Sequence, residues 1–236
     1  MQQKLAGVLL DIDGTLIDSN DANARAWMEA LGAHGIEVNY LKLREGVGMG
    51  GDNFLPKIAH IESDSPKGKA VSETRSEILK SKYLPNLKAF VQVKELLTRL
   101  HQDGIKLVVA TSAKSDKADA LLKLTGAVDL IGAIATTEDA KNSKPDPDII
   151  HAALQKSGLS AGEVIMLGDT PYDVEAAQKA GVGIIGVRCG GWTAPDLKGA
   201  LAVYDDAADL LARYADSPLR PRQPCARHVY GGFCRG

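Results

Sequence analysis

The sequence predicts an α/β protein in which a doubly wound parallel sheet carries an inserted small helical domain. Two observations predict it: short apolar runs alternate with helix-patterned segments, and one long interval near the N-terminus holds no strand pattern. The runs fall at residues 7–10, 106–110, 130–135, 164–167 and 183–187 and are rich in Val, Ile and Leu. They need no polar alternation if both faces of the sheet are covered, which is the situation of a parallel strand.

The helical segments fit between them. Residues 93–100 place Val93, Leu96, Leu97 and Leu100 on one face, 117–124 and 148–155 follow similar spacing, and 173–180 is Ala-rich and ends at Gly181. Strands alternating with helices imply crossover units, hence a Rossmann-like core. From residue 19 to 85 the pattern changes to helical stretches at 22–32, 53–61 and 71–83, separated by loops containing Gly and Pro. The predicted division is a core of residues 1–18 and 86–215 with a helical cap at 19–85 and hinges near 17–19 and 84–87. A helical part of one compact core is the alternative. Residues 216–236 are basic, contain Pro218, Pro221 and Pro224, and lack apolar periodicity, so they are predicted to be a disordered tail whose removal after Ala215 preserves activity. Cys225, His228 and Cys234 in that tail do not have the spacing of a zinc site.

Composition narrows the function. The 236 residues are 44% hydrophobic and 25% charged, enough for one large domain or a domain plus an insertion. With 28 Lys and Arg against 30 Asp and Glu, the net charge of −2 supplies no field for nucleic acid or an anionic membrane. A small-molecule partner fits better, with the chain expected to act as a monomer or homodimer. Three cysteines predict no disulfide framework and a cytoplasmic setting. The first apolar run is too short for a signal-peptide core or a membrane span.

In open parallel sheets ligands bind beyond the carboxyl ends of the strands. Asp11, Asp13, Gly14 and Thr15 follow the first run; Thr111 and Ser112 follow the second; Gly168, Asp169, Thr170 and Asp173 follow the fourth. Beyond a longer loop after the third come Ser143, Lys144 and Pro145. Alternate residues of an extended segment point the same way, so Asp11 and Asp13 can reach one cavity. Gly14 lets the backbone turn closely around an anion, and Thr15 can fix the loop. Clustered carboxylates repel one another unless a cation sits among them, and the hard oxygens of Asp11 and Asp169 are the ligands Mg²⁺ prefers. Such an ion lets an anionic nucleophile approach an anionic phosphate. Lys144 and Thr111 complete a phosphate cradle with a charge and a hydroxyl. Alone, either residue is unremarkable; the ensemble gives them meaning.

Taken in order and spacing, Asp11 to Thr15, Thr111, Lys144 and residues 168–173 resemble the four motifs of the haloacid dehalogenase-like superfamily, over roughly residues 5–213. The insertion directly after the first motif is similar to the helical-cap subgroup that contains phosphoglycolate phosphatase and beta-phosphoglucomutase. The resemblance implies a Mg²⁺-dependent phosphatase acting on a small phosphorylated metabolite. It makes Asp11 the nucleophile and Asp13 the general acid and base, with the Asp13 backbone carbonyl on the metal. Gly14, Thr111, Ser112 and Lys144 hold the phosphoryl group, Asp169 ligates the metal, and Asp173 supports it directly or through water. Asp13 argues against dehalogenation, which needs no protonated leaving group. Asn23 stands where the sugar phosphomutases carry a histidine, which favours water as the final acceptor; a phosphomutase is the alternative, and a non-catalytic binding protein a remote one. The cap reads the rest of the substrate, and Arg44 with Gly48 and Met49 in the loop 46–51 are its candidates, Arg44 pairing with a second anionic group. A mobile loop with a solvated arginine is the equal alternative. Gly190, Gly191 and Trp192 read as the turn leaving the sheet, and Cys189 as a buried small side chain.

Overall fold

Apolar segments without polar alternation must be covered on both faces, and the computed structural model, which describes residues 4–220, covers them with helices. The strands β1 (Gly7–Leu10), β2 (Lys106–Ala110), β3 (Ile131–Ala135), β4 (Val164–Gly168), β5 (Gly183–Val187) and β6 (Ala202–Tyr204) form one sheet in the order β3-β2-β1-β4-β5-β6. Every pairing is parallel. Strand β6 was not foreseen, because three residues are too few to carry a pattern.

Between β1 and β2 the chain leaves the sheet for α1 (Asn20–Ala33), α2 (Tyr40–Gly46), α3 (Gly51–Phe54) and α4 (Pro66–Ile78). Wider turns at Leu55–Ala59 and Leu79–Tyr83 extend α3 and α4. Local chemistry starts these helices: the Asn39 side chain accepts from Leu41 N (2.8 Å), and Ser65 accepts from Gly68 N (3.0 Å) with Pro66 in the first turn. The block has a core of its own, in which Trp27, Leu31, Leu43, Phe54, Leu55 and Val71 pack together and Trp27 stacks on Phe54 with ring centres 4.5 Å apart. Where it joins the sheet domain the outgoing and returning chains lie side by side: Asp18 N donates to Lys88 O (3.0 Å) and Phe90 N to Leu16 O (3.0 Å).

The remaining helices, α5 (Val93–Gln102), α6 (Ser115–Leu124), α7 (Asp148–Ser157), α8 (Pro171–Lys179) and α9 (Ala207–Ala212), cover the sheet. Alternate residues of β1 serve its two faces. Val8 and Leu10 pack with Leu96 and Leu97 of α5, Leu121 of α6 and Leu210 of α9, whereas Leu9 packs with Ile149 and Ile150 of α7 and Val174 of α8. No helix among the described residues is long and apolar enough to cross a membrane.

The expectation of disorder from residue 216 needs correction for residues 216–220. Leu219 is fully buried in the same cluster as Val8 and Leu10, and Ser217 Oγ donates to Tyr214 O (2.8 Å). Truncation after Ala215 therefore removes a core leucine. Cys225, His228 and Cys234 lie outside the described residues.

Candidate active site

From β1 the chain spreads to β2 and β3 on one side and to β4, β5 and β6 on the other, so a crevice opens at the carboxyl ends of β1 and β4. Asp11 follows β1 and Asp169 follows β4. Asp173 is brought to the same place by the start of α8. Thr170 Oγ1 accepts from Asp173 N (3.1 Å), Asp173 Oδ2 accepts from Thr170 N (3.0 Å), and Pro171 occupies the first turn. That reciprocal cap turns the Asp173 side chain back over the strand end. Lys144 arrives from the loop before α7, and its Nζ lies 2.6 Å from Asp11 Oδ1 and 2.7 Å from Asp173 Oδ1.

These groups are buried: Asp169 is 0% exposed, Lys144 and Asp173 1%, Asp11 6%. Burial pushes the Asp11 carboxyl up to about 7, with Lys144 opposing and Asp173 adding to the rise. Burial, then Asp173 and Asp11, push Asp169 well above the usual carboxylate range. The Lys144 ammonium is held charged because Asp11 and Asp173 outweigh its own desolvation. Ligand oxygens of Asp11, Asp169 and Asp173 come within 4.8 Å of one another. Three carboxylates therefore face one ammonium, and a divalent cation would bring the set to neutrality. The donors are all hard oxygens, which fits such an ion. Cys189 lies close, its Sγ donating to Gly14 O (3.2 Å), but burial and Asp169 push the thiol upward and keep it protonated, and it is not in the carboxylate cluster. Thr15 Oγ1 and Asn20 Nδ2 donate to Asp169 at 3.0 and 2.8 Å. Gly14 makes this approach possible: its φ is +80°, and a Cβ there would lie 2.3 Å from Asp169 Oδ2.

Asp13 faces another way. Its Oδ1 accepts from Ser19 Oγ (2.5 Å) and Asn23 Nδ2 (2.9 Å), and its Oδ2 from Lys117 Nζ (2.7 Å). Burial alone would raise this carboxyl, but Lys117, Ser19 and Asn23 together hold it below the usual range. The Asp13 carboxylate is thus outside the metal-type cluster.

Above Asp11 and Asp13 a cavity of about 820 Å³ separates sheet domain and cap, lined among others by Asn23, Trp27, Arg75, Thr111, Ser112 and Lys117. Its size falls in the range of small-molecule sites. Thr111 Oγ1 accepts from Ala113 N (3.2 Å) and keeps its hydrogen to donate; Ser112 Oγ is buried without a partner among the described residues. Gly48 and Met49 line the cavity, and glycines let this loop come close to its neighbours: a Cβ at Gly50 would lie 2.1 Å from Ser143 Oγ and one at Gly48 2.7 Å from the Thr170 side chain. The cap backbone rests directly on the loop that carries Lys144, where Asn53 Nδ2 also donates to Ser143 O (3.0 Å). Arg44, the expected reader of a second anion, does not line the cavity. Its Nε pairs with Asp21 Oδ1 (2.8 Å) and its guanidinium also reaches Gly190 O. Ser19, Asn20, Arg75 and Lys117 were missed; a lone Lys or Arg on a helix carries no signal of where it will point.

With this geometry in hand, comparison with known proteins gives a consistent result. The family model for haloacid dehalogenase-like hydrolases matches residues 8–187. The chain is 31% identical to validoxylamine A 7'-phosphate phosphatase of Streptomyces hygroscopicus subsp. limoneus over 76% of its own length and 84% of the relative's. It is 30% identical to phosphoglycolate phosphatase of Pectobacterium atrosepticum over 93% of its own length and 97% of the relative's. Among solved structures, a hydrolase from Pseudomonas syringae superimposes with a TM-score of 0.83 at 31% identity, covering 89% of this chain and 98% of that one. The family match over most of the chain, together with these relatives, places the chain among the haloacid dehalogenase-like hydrolases, as a phosphatase-type enzyme of the helical-cap kind.

Proposed function

We propose that the protein is a Mg²⁺-dependent phosphatase that hydrolyses a small organic phosphate monoester through a phosphoryl group carried on Asp11. The observation that carries this reading is the buried set of three carboxylates held against one lysine beneath the cavity. Asp11, Asp169 and Asp173, with the Asp13 backbone carbonyl, would hold the ion, which supplies charge neutralisation between the carboxylate nucleophile and the phosphate. Lys144 orients Asp11 through Oδ1, and Oδ2 has only a 3.4 Å contact from Thr15, so Oδ2 is the freer oxygen to attack phosphorus. As that bond forms, the bond from phosphorus to the alcohol oxygen breaks, and Asp13 gives the alcohol its proton. Water then attacks the phosphorus, Asp13 takes a proton from it, and Asp11 regains its carboxylate. The partners that hold Asp13 ionised favour this second, basic role; to act as an acid it must give up Lys117 and turn toward the leaving oxygen. Thr111, Ser112, the Gly14 backbone and Lys144 cradle the phosphoryl oxygens in both steps. The names of the two relatives, both phosphatases of small phosphate esters, agree with this substrate class, and phosphoglycolate is a candidate within it.

A panel of small phosphate esters tests the reading. Phosphate release is expected with Mg²⁺ and is expected to stop on chelation and return when Mg²⁺ is restored; release at an unchanged rate in the chelated protein would contradict it.

A further inference from the structure

The cavity walls carry many charges, and burial sorts them. Lys69, Glu73, Glu77, Lys80, Lys114 and Asp116 are exposed, so water and salt screen them. Besides Asp11 and Asp13, the lining charges that are at least partly buried are Arg75 and Lys117. Lys117 is neutralised by Asp13 at 2.7 Å. Arg75 is not neutralised. Among the described residues no carboxylate pairs with it. One of its terminal nitrogens donates to the Asn23 amide oxygen, which also takes Lys117 Nζ at 3.1 Å, and its Nε is buried with no partner. A half-buried guanidinium with an idle donor is costly unless something brings it an acceptor.

Its position says which part of a ligand that acceptor belongs to. Arg75 comes from the cap helix α4 and is separated from Asp13 by a single side chain, Asn23, whose Nδ2 donates to Asp13. Asp13 is the group that serves the departing alcohol, so Arg75 stands on the alcohol side of the phosphoryl group. The guanidinium is braced over the Trp27 ring at 5.1 Å, and Trp27 is fixed in turn by Phe54. A braced planar fork with free N–H groups suits a carboxylate or a phosphate.

Resting on the phosphatase reading, we infer that Arg75 forms a second anion subsite, so that the preferred substrate is a phosphate ester whose alcohol portion bears a further negative group. Asn23 holds the guanidinium in place, and Lys117 keeps Asn23 turned toward it. The subsite replaces Arg44, which Asp21 already occupies.

Three esters of one carbon skeleton test this: propyl phosphate, its analogue ending in a carboxylate, and propane-1,3-diol bisphosphate, each assayed with Mg²⁺. The wild type is expected to prefer the doubly anionic esters. Arg75→Met is expected to lower kcat/KM for them by about 10- to 100-fold, through KM, the loss of one charge-assisted hydrogen-bond pair, and for propyl phosphate by less than about 3-fold. Arg75→Lys is expected to recover part of the loss, and whichever of the two anionic esters suffers more identifies the second group. If Arg75 served only to tie α4 to Trp27, both variants would lower stability and reduce turnover of all three esters alike; that equal loss, or an intact preference in Arg75→Met, would overturn the inference while leaving the phosphatase reading in place. Failure of the wild type to hydrolyse any ester with Mg²⁺ would overturn both.

Discussion

The floor of the cavity and its roof are imbalanced in opposite directions. Below, three buried carboxylates share one lysine; above, Arg75 lies over an indole with no carboxylate paired to it among the described residues. The floor is built from strand ends and a reciprocal helix cap, rigid parts of the sheet domain. The roof is built from the face of one cap helix against another. An excess of buried negative charge in the floor asks for a cation, and the one partly buried, unpaired guanidinium of the roof asks for an anion, so a metal-bound phosphate carrying a distant acidic group would satisfy both. The difference teaches that reaction type and substrate choice are held by separate parts of the chain.

The largest expected effect comes from removing the cation of the floor. Lys144→Met leaves Asp11 and Asp173 buried without it, and stripping one partner from a buried pair costs about 3–5 kcal/mol. Urea unfolding of the metal-free variant measures that loss, and turnover is expected to vanish with it; an unchanged midpoint would mean that the floor is not electrostatically strained.

A smaller effect comes from pH. In the metal-free protein Asp11 titrates at about 7 when folded against 3.8 when unfolded. Between those values the folded state binds the extra proton, so stability falls as pH rises through that window and reaches its lower plateau above it. On the phosphatase reading, Mg²⁺ would take the place of the protons. The gain in Tm on adding Mg²⁺ is therefore expected to be several degrees larger near pH 8 than near pH 5.5, at roughly 2–4 °C per kcal/mol for a chain of this size. Equal gains at both pH values would remove the proton linkage.

The smallest effect belongs to Arg44→Ala. Its partner Asp21 is 67% exposed, so the pair contributes under about 1 kcal/mol. The ratio of KM for an acidic ester to KM for a neutral aryl phosphate is expected to stay as in the wild type. A selective rise for the acidic ester would move the roof's anion contact from Arg75 to Arg44.

The two regions were also unequally legible. Asp11, Asp169 and Lys144 stood out because parallel strands announce themselves as uninterrupted apolar runs and the chemistry follows their ends. Asp173 stood out because it follows the fourth apolar run within residues 168–173, the segment that resembles the fourth family motif. Arg75 could not stand out: it sits among Lys67, Lys69, Glu73 and Glu77 in a helix that looks solvated from sequence, and only its placement over Trp27 distinguishes it. Arg44 drew attention because it precedes a glycine-rich loop, but glycines of that loop serve packing, Gly46 against Phe54, Gly48 against Thr170 and Gly50 against Ser143. The same limit applied to the fold. Strand β6 and helix α2 are too short for periodicity, and Leu219, a single apolar residue after Pro218, gave no pattern although it fills the core.

The most direct test follows the phosphoryl group itself. Wild-type protein turning over a small phosphate ester with Mg²⁺ is quenched in acid, digested, and its peptides weighed. The account predicts one phosphoryl group on the peptide that contains Asp11, lost once the substrate is exhausted and absent in Asp11→Asn, which should also lose turnover by about 10⁴-fold or more. Steady turnover with no such adduct, or an Asp11→Asn variant that still turns over, would contradict it.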